Sequence, residues 1–420
     1  MTKQYFCLLL LSLCSFSSHA AKEFQFDDES YLRLSAFGTF GLNASSIERN
    51  DYILTRDKKD SSGIGQGQLP FLADSRLGVQ MDAILNPQFS AVVQFLVKDR
   101  VEQDLNTALQ WAFVKYQPNA AWQIRGGRMG VDSFMLSDQR NVGFTYLWVR
   151  PPIEFYGTFP IYNYDGGDVR YRMPFFDGNL DFKVFAGTSS NIIPVENGGY
   201  FDNSLTPISG ANLVFSNHTW QARISYVFVT FEEELIGLDK LQSALNLTAP
   251  FYPDATRLSN GFKTKEKSAH YISAGIAYEH DDWQIQSELA HAIVETPAVP
   301  SFYNGYFSVG HHFGELTPYA MYSRVGTSHQ MKNASPSPIP QVRALIDVTN
   351  EALDHLRQNQ ETFSVGTRWD FYENMALKLQ YDRTHVINNS YGLWFENTNN
   401  SNQQTNDSYN VFSLTFDFVY

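Results

Sequence analysis

Alternating polarity in short segments is the feature that most constrains the fold of this chain. From residue 76 to residue 83, apolar side chains at odd positions alternate with polar or small ones at even positions. After a turn at 86–88, the chain returns with Phe89 and Val97 on the apolar face and Gln94 on the polar face. Successive side chains of a β-strand point to opposite faces, so this segment predicts a two-faced hairpin. The same period predicts sixteen strands, at residues 31–43, 75–85, 89–97, 108–116, 121–127, 168–174, 179–188, 207–215, 220–230, 268–280, 283–294, 303–311, 316–324, 361–370, 375–383 and 408–420.

The connections between these strands alternate strictly between short turns and long segments. Membrane barrels have an even strand number, with short turns at one rim and long loops at the other. The pattern therefore predicts an all-β, transmembrane antiparallel β-barrel. A soluble sandwich has no reason to collect its long loops at one end, and a plugged transporter would need a domain where only residues 21–30 precede the first strand. The long segments are residues 44–74, 98–107, 128–167, 189–206, 231–267, 295–302, 325–360 and 384–407.

Composition agrees with a membrane barrel. The mean hydropathy is −0.30, and no apolar stretch after residue 20 approaches the length of a membrane-spanning helix. The chain nevertheless contains 23 Tyr and 33 Phe. A barrel reconciles these facts because its strands alternate lipid-facing and interior residues and carry aromatic girdles at both membrane surfaces. Such girdle positions are predicted for Trp122, Trp220, Trp283 and Tyr381.

The N-terminus predicts export. Lys3 precedes an apolar run at residues 5–16, and Ser18 and Ala20 are small residues at the positions that signal peptidases recognise. We expect residues 1–20 to be a cleaved signal peptide and residues 21–420 to form one barrel domain. A membrane anchor would need a longer apolar run, and a lipoprotein signal ending at Cys14 would need a small residue in place of Leu13.

Several classes of chemistry are disfavoured. Both cysteines, Cys7 and Cys14, lie in the predicted signal peptide, so the mature chain would have no thiol. Since residues 1–20 contain one lysine and no acid, cleavage changes the net charge from −13 to −14, which disfavours nucleic acid as a partner. No serine-hydrolase elbow, zinc helix or phosphate loop occurs. The sequence predicts neither an enzyme nor a cofactor or metal site, although a catalytic triad assembled by folding, or calcium at the outer loops, stays open.

Two long loops contain apolar residues at helical spacing. We expect short amphipathic helices that pack within their own loops. A ligand-gated lid is the alternative. The residues are Leu235, Ile236, Leu238, Leu241 and Leu245 in one loop, and Val342, Leu345, Ile346, Leu353 and Leu356 in the other.

The C-terminus resembles the terminal strand of Gram-negative outer-membrane porins, because outward Phe412, Leu414, Phe416 and Phe418 lead to a final aromatic, Tyr420. The stretches 363–370, 376–381 and 317–320 resemble the preceding hairpins of that family. The resemblance implies a trimeric, sixteen-stranded barrel in contact with outer-membrane lipid and lipopolysaccharide. It also implies that Phe416, Phe418 and Tyr420 are read by the outer-membrane insertion machinery, and that the third long loop folds inward to narrow the channel.

The third long loop, 128–167, is accordingly where a constriction is expected. In general porins a cluster of wall arginines faces acids of the inward loop, and the resulting field sets ion preference. The resemblance implies Arg33, Arg76, Arg125, Arg170 and Arg172 on the basic side, and Asp138, Glu154 and Asp165 on the acidic side, with Arg140 and Arg150 also in the loop. The alternative is that these arginines only keep the wall polar.

Aromatic residues of the same loop allow two interpretations. They could form a track for sugars, or they could pin the loop to the wall by burying apolar area worth about 25 cal/mol per Å², which we favour. The residues are Tyr146, Trp148, Tyr156, Tyr162 and Tyr164. The sequence thus predicts an outer-membrane porin for passive diffusion of small hydrophilic solutes and ions. The alternatives are a channel specific for oligosaccharides or for anions such as phosphate, and a barrel-borne adhesin, receptor or hydrolase.

Overall fold

A computed structural model describes residues 21–45, 52–53, 71–100, 105–195, 199–234, 238–387, 390, 392–393, 395–396 and 408–420. The predicted signal peptide and Leu235 and Ile236 lie outside these residues. Sixteen strands form one antiparallel sheet, which closes because β1 pairs with both β2 and β16. The predicted sixteen-stranded barrel is confirmed. The strands are β1 Tyr31–Ser45, β2 Arg76–Ile84, β3 Phe89–Lys98, β4 Leu109–Tyr116, β5 Trp122–Gly130, β6 Asn163–Phe175, β7 Gly178–Val195, β8 Gly199–Ser216, β9 Trp220–Phe231, β10 Ser268–His280, β11 Trp283–Val294, β12 Ser301–His311, β13 Leu316–His329, β14 Asn359–Tyr372, β15 Met375–Val386 and β16 Ser408–Val419.

In the described part of the chain, three shorter strands lie outside the ring. Lys22–Gln25 pairs with the start of β1, and Tyr52–Ile53 pairs with Phe395–Glu396.

The two faces of the wall differ as the alternation predicts. On β16 the outward Phe412 and Leu414 are 56% and 43% exposed, whereas the inward Thr415 and Asp417 are fully buried. Outward aromatics also stand next to the short turns. Trp122, Trp220 and Trp283 are each close to half exposed there.

One predicted long loop is wrong. Residues 189–206 are mostly strand, because β7 runs to Val195 and β8 begins at Gly199, with Ser190 paired to Ser204. Apolar and polar residues stop alternating there because the hairpin extends past the apolar band of the wall, where neither face needs to be apolar. The strand β6 likewise begins at Asn163, so Tyr164 and Asp165 belong to the wall and not to the preceding loop.

The helices lie in the connections. They are α1 Leu105–Ala108, a 3₁₀ turn Gly143–Thr145, α2 Ile153–Tyr156, α3 Leu238–Thr248, α4 Ala255–Gly261 and α5 Pro340–Leu356. None of the helices in the described part of the chain has the length and apolar character needed to cross a membrane.

The expectation that the two predicted helices pack within their own loops is wrong. Leu245 of α3 and Leu258 of α4 share one buried cluster with Val342 and Ile346 of α5, so the β9–β10 and β13–β14 connections pack together. A single helix cannot bury its own apolar face, so the apolar faces of helices from the two loops cover each other. We call α3, α4 and α5 the outer helical cluster.

Candidate functional site

The segment between β5 and β6, residues 131–162, lies against the inner face of strands β7 to β16 and also contacts β1 and β2. The wall side chains that contact this segment alternate along their strands with the outward apolar side chains, so they point to the barrel interior. Most of these contacts join residues that are far apart in sequence. We call this the inner segment.

The first anchor is Asp132, directly after β5. Its carboxylate lies 2.5 Å from Lys183 Nζ on β7, accepts a 3.1 Å hydrogen bond from Asn212 on β8, and is paired with the Arg223 guanidinium on β9. Burial alone would raise the pKa of Asp132, but Lys183 and Arg223 bring it below its usual range. Next along the chain, the Ser133 carbonyl accepts a 2.7 Å hydrogen bond from Ser273 on β10.

The second anchor is Glu288 on β11, a buried acid. Its carboxylate accepts hydrogen bonds from the Met135 backbone N–H at 2.9 Å, from the Tyr306 hydroxyl at 2.7 Å and from the Tyr156 hydroxyl. Two of these donors belong to the inner segment, which this carboxylate therefore joins to the wall.

The third anchor is Glu154 of α2, which is 1% exposed. Its carboxylate accepts hydrogen bonds from Ser323 at 2.7 Å, from Gln360 at 2.6 Å and from Thr362. Neutral donors of β13 and β14 thus satisfy the charge. Glu154 does not face the opening, so its predicted place on an acidic side of a constriction is wrong.

The fourth anchor is Arg150, which is 8% exposed. Its guanidinium forms a two-bond pair with Asp74 at 3.0 and 2.7 Å, and it donates to Asp382 at 2.7 Å. Asn43 and Ser413 accept two further bonds at 2.8 and 2.5 Å. The planar guanidinium suits such multiple contacts. Arg150 therefore joins β1, β15 and β16 instead of facing the opening, which corrects the interpretation of this residue as pore-lining.

The fifth anchor is Lys378 on β15, whose Nζ donates to the backbone carbonyls of Gly143, Tyr146 and Trp148 at 2.6 to 2.9 Å. Asp417 on β16 lies 3.1 Å from the same nitrogen. Both side chains are fully buried. Burying a lysine is costly unless its charge is paired and its donors are satisfied, as they are here.

An apolar cluster reinforces these polar anchors inside the barrel. Phe134 is fully buried and packs edge-on against Phe155 at 5.4 Å and against Tyr271 of β10 at 5.7 Å, measured between ring centroids. The inner segment is therefore fixed by packing as well as by charge.

Four of the five predicted wall arginines form their ion pairs with acids of the wall itself. Arg125 donates three hydrogen bonds to the Asp168 carboxylate, from Nε at 3.1 and 3.0 Å and from Nη2 at 2.6 Å. Arg172 pairs with Asp181 at 2.8 Å, and Arg170 lies 3.7 Å from the same acid. They lie on β5 and β6.

Arg33 and Arg76 differ from each other. Arg33 on β1 lies 3.4 Å from Asp82, and its side chain is 43% exposed. Arg76 on β2 donates to the Tyr146 hydroxyl, so it holds the inner segment. Arg33 and Arg172, which is 42% exposed, are the arginines of this group most open to the interior.

The predicted acidic side is reduced to Asp138. This residue is exposed on the inner segment and interacts electrostatically with Arg125. Asp165 instead pairs with Arg128 at 2.8 Å. The register places this pair on the face of Trp122 and Tyr171, which is the outer face. The prediction that Asp165 lines the interior is therefore wrong, because β6 begins before it and strand parity turns it outward.

The predicted aromatic track is not assembled. Tyr146, Trp148, Tyr156 and Tyr164 are buried, and Trp148 donates to Ser308 on β12 at 2.6 Å. Tyr162 is half-buried under Arg140, which lies 4.4 Å from its ring centroid and donates to its carbonyl at 2.9 Å. These aromatics hold the inner segment and offer no continuous surface to a solute.

At the C-terminus, Phe416 and Phe418 lie in β16, and Tyr420 exchanges two backbone hydrogen bonds with Ala36 at 2.8 and 2.7 Å. The terminal residues thus complete the closure of the ring. Sequence reasoning missed Asp74 and Asp132. Both lie just outside a strand, where no alternation marks which way a side chain points.

No protein-family model matches this chain, and no curated protein does. Solved structures match it over almost its full length. OmpF of Salmonella typhi in complex with daunomycin gives a TM-score of 0.53 at 12% identity, covering 94% of this chain and 100% of that chain. In-vitro folded OmpT, an outer membrane protein of Vibrio cholerae, gives 0.51 at 12%, covering 94% and 98%.

The outer membrane channel DcaP of Acinetobacter baumannii gives 0.50 at 10% identity, covering 94% of this chain and 99% of that chain. At these identities the likeness shows the fold, a closed sixteen-stranded antiparallel barrel of the kind found in outer-membrane porins.

Proposed function

We propose that this protein is an outer-membrane channel for passive diffusion of small hydrophilic solutes and ions. It is exported by a cleaved signal peptide, assembles as a homotrimer and carries no catalytic activity. One observation carries this proposal: the inner segment is fixed along β7 to β16, while Arg33 on β1 and Arg170 and Arg172 on β6 keep 28% to 43% of their side chains exposed in the interior. The OmpF, OmpT and DcaP structures support the same reading of the fold, and one OmpT structure is described as a trimer form.

The inner segment would act as the constriction. Its anchors come from ten consecutive strands, so it narrows the opening without a moving part. The buried polar groups Asp132, Arg150 and Glu154 are engaged in these anchors, and Asp138 is an exposed charge. We therefore propose that the inner segment sets the shape and the charge of the opening and performs no reaction.

The terminal strand supports the proposed location. Phe416, Phe418 and Tyr420 end the chain as alternate residues, which is the arrangement we assign to recognition by the outer-membrane insertion machinery. The outward apolar face would contact lipid, with lipopolysaccharide in the outer leaflet.

A preference for anions is favoured by the charges around the opening. Arg33, Lys115, Arg125, Arg170 and Arg172 face inward on β1 to β6, and the acids beside them are Asp82 and Asp168 on the same wall and Asp181 on β7. Each of these acids is paired with an arginine. Because five basic side chains face three acids, the excess charge at the opening is positive. Charged rings in a pore set ion preference in this way.

Single-channel conductance of the refolded chain in a planar bilayer tests the function. We expect stable conductance with three equal steps for each inserted trimer. Under a salt gradient, we expect the sign of the reversal potential to show that anions are more permeant than cations. Absence of any conductance from correctly folded barrel would contradict the channel. Block by one sugar or by phosphate would replace passive diffusion with a specific channel.

A further inference from the structure

A small cavity lies between the inner segment and the wall formed by β13 to β15. Its volume is about 20 Å³, which is room for about one occupant of the size of a water molecule. Arg150 and residues 152–154 of the inner segment cover it, and side chains of three neighbouring strands form its floor. The floor side chains that carry oxygen atoms are Ser323 on β13, Thr362 and Ser364 on β14, and Gln380, Asp382 and Thr384 on β15.

Ser364 lies in the middle strand of this floor. It is 1% exposed, and it stands in register with Met321 on one side and with Asp382 on the other. In the described part of the chain, its hydroxyl has no hydrogen-bond partner. A buried polar group without a partner is unfavourable and rare in folded proteins. The Ser364 oxygen therefore indicates that the cavity takes a polar or charged occupant.

Glu154 brings a negative charge to the same cavity. Its buried carboxylate accepts hydrogen bonds from Ser323, Gln360 and Thr362. These donors satisfy its oxygens, but all three are neutral, and among the described residues Glu154 forms no ion pair. A buried charge is costly unless an opposite charge accompanies it. A water molecule in the cavity would leave this cost in place, whereas a cation would remove it.

The other charges near the cavity balance one another. Arg150 pairs with Asp74 and with Asp382, each at 2.7 Å. Arg76 also interacts electrostatically with Asp74. Two arginines thus accompany two aspartates, and Glu154 is the acid in excess. An occupant with a single positive charge would neutralise this group.

We propose that this cavity binds one sodium ion without its water shell, with the Glu154 carboxylate and the Ser364 hydroxyl among its ligands. Hard cations take oxygen ligands, and Mg²⁺ fits less well because it keeps several of its waters. The hydroxyls that donate to Glu154 retain lone pairs that can face the ion. The ion would join the inner segment to β14 behind the opening, so it goes beyond the proposed function and takes no part in conduction.

Replacing sodium by a cation too large for the cavity tests the site. Thermal unfolding of the refolded barrel is followed by circular dichroism in sodium chloride and in choline chloride at equal ionic strength. A ligand that binds only the folded state raises the melting temperature, so we expect a value at least about 2 °C higher in sodium chloride. Equal melting temperatures in the two salts would overturn the proposal and leave water as the occupant.

Two matched serine variants separate the site from a general effect of salt. Ser364 and Ser90 are both buried, and in the part of the chain that the structure describes neither hydroxyl has a hydrogen-bond partner. Ser90 lies on β3, outside the cavity lining. We expect Ser364→Ala to remove the difference between the two salts and Ser90→Ala to keep it. A sodium effect of wild-type size in Ser364→Ala would contradict the site.

A change at Glu154 tests the charge. Glu154→Gln keeps the size of the side chain and one acceptor oxygen but removes the negative charge that the ion would neutralise. We expect this variant to melt at the same temperature in both salts. If a folded Glu154→Gln barrel is still stabilised by sodium, the charge argument is wrong, and if the variant does not fold, the comparison of Ser364→Ala with Ser90→Ala decides.

The failure of this inference differs from failure of the proposed function. A wild-type barrel that conducts but melts at the same temperature in both salts would remove the sodium site and leave the channel. A folded wild-type barrel that sodium stabilises but that does not conduct would remove the channel and leave the site.

Discussion

The interior of the barrel has two halves that use the same residue types differently. Along β7 to β16, buried charges such as Arg223 and Lys378 hold the inner segment. Along β1 to β6, Arg33 and Arg172 are more than two-fifths exposed and pair with one acid each. A charged residue on the inner face therefore has a structural role where the inner segment covers it, and it is available to ions and solutes where it stays exposed. Neither the residue type nor its position in the alternating pattern decides between these roles.

The largest expected effect comes from removing Arg150. Arg150→Ala leaves Asp74 and Asp382 buried without their partner, and losing one side of a buried pair costs about 3–5 kcal/mol. We expect the free energy of unfolding to fall by this amount and the conductance to rise as the inner segment is released. Unfolding in urea and single-channel current measure the two effects, with Arg150→Lys as the milder control. If the variant loses this stability but its conductance is unchanged, Arg150 stabilises the fold without setting the width of the channel.

A smaller effect is expected in the outer helical cluster, which lies in other connections. Ile346→Ala leaves a cavity in the cluster core, and such truncations cost about 2–5 kcal/mol. The cost should be local, so α5 would become sensitive to protease while conductance stays at the wild-type value. Val348→Ala, at an exposed position on the same helix, is the control. A change in conductance by Ile346→Ala would show that this cluster controls the opening.

The open half should respond in selectivity and not in stability. The double variant Arg170→Ala and Arg172→Ala removes two partly exposed cations, whose pairs contribute at most about 1 kcal/mol. We expect the reversal potential under a salt gradient to move towards cation preference, while unfolding changes little. Arg257→Ala, which breaks an exposed pair with Asp254 in the outer helical cluster, should leave the potential unchanged. If the reversal potential of the double variant is unaltered, these arginines only keep the wall polar and do not set ion preference.

The smallest effect should come from Asp138, the exposed acid of the inner segment. Asp138→Asn removes one negative charge near Arg125, so the reversal potential should move slightly in the opposite direction, towards stronger anion preference. Screening in concentrated salt should abolish the shift, because the Debye length falls to about 3 Å at 1 M. A shift that persists at 1 M salt would indicate a change in shape and not in charge.

Much of the wall follows from the sequence. All sixteen predicted strands are present, since each must be apolar outside and polar inside, and a period of two records this requirement. The prediction fails where the requirement ends. The long β7–β8 hairpin continues beyond the alternating region. The pattern also places Asp165 in a loop, whereas it lies on the outer face of β6.

The site was only partly predictable. Sequence reasoning locates the segment between β5 and β6, but it predicts the wrong role for Glu154 and Arg150, which are buried anchors. Both stand in a stretch with no period, where sequence does not indicate direction. The outer helical cluster shows the same limit, because helical spacing located α3 and α5 but not the contact between them.

The sequence by itself determined the number, order and two faces of the strands, because these depend on neighbours two positions apart. Only the tertiary structure decided which inner charges hold the inner segment and which remain open. Arg150 reaches Ser413 across 263 positions, and a contact at that separation leaves no local pattern. Its partners are set by how the closed wall brings distant strands around one segment.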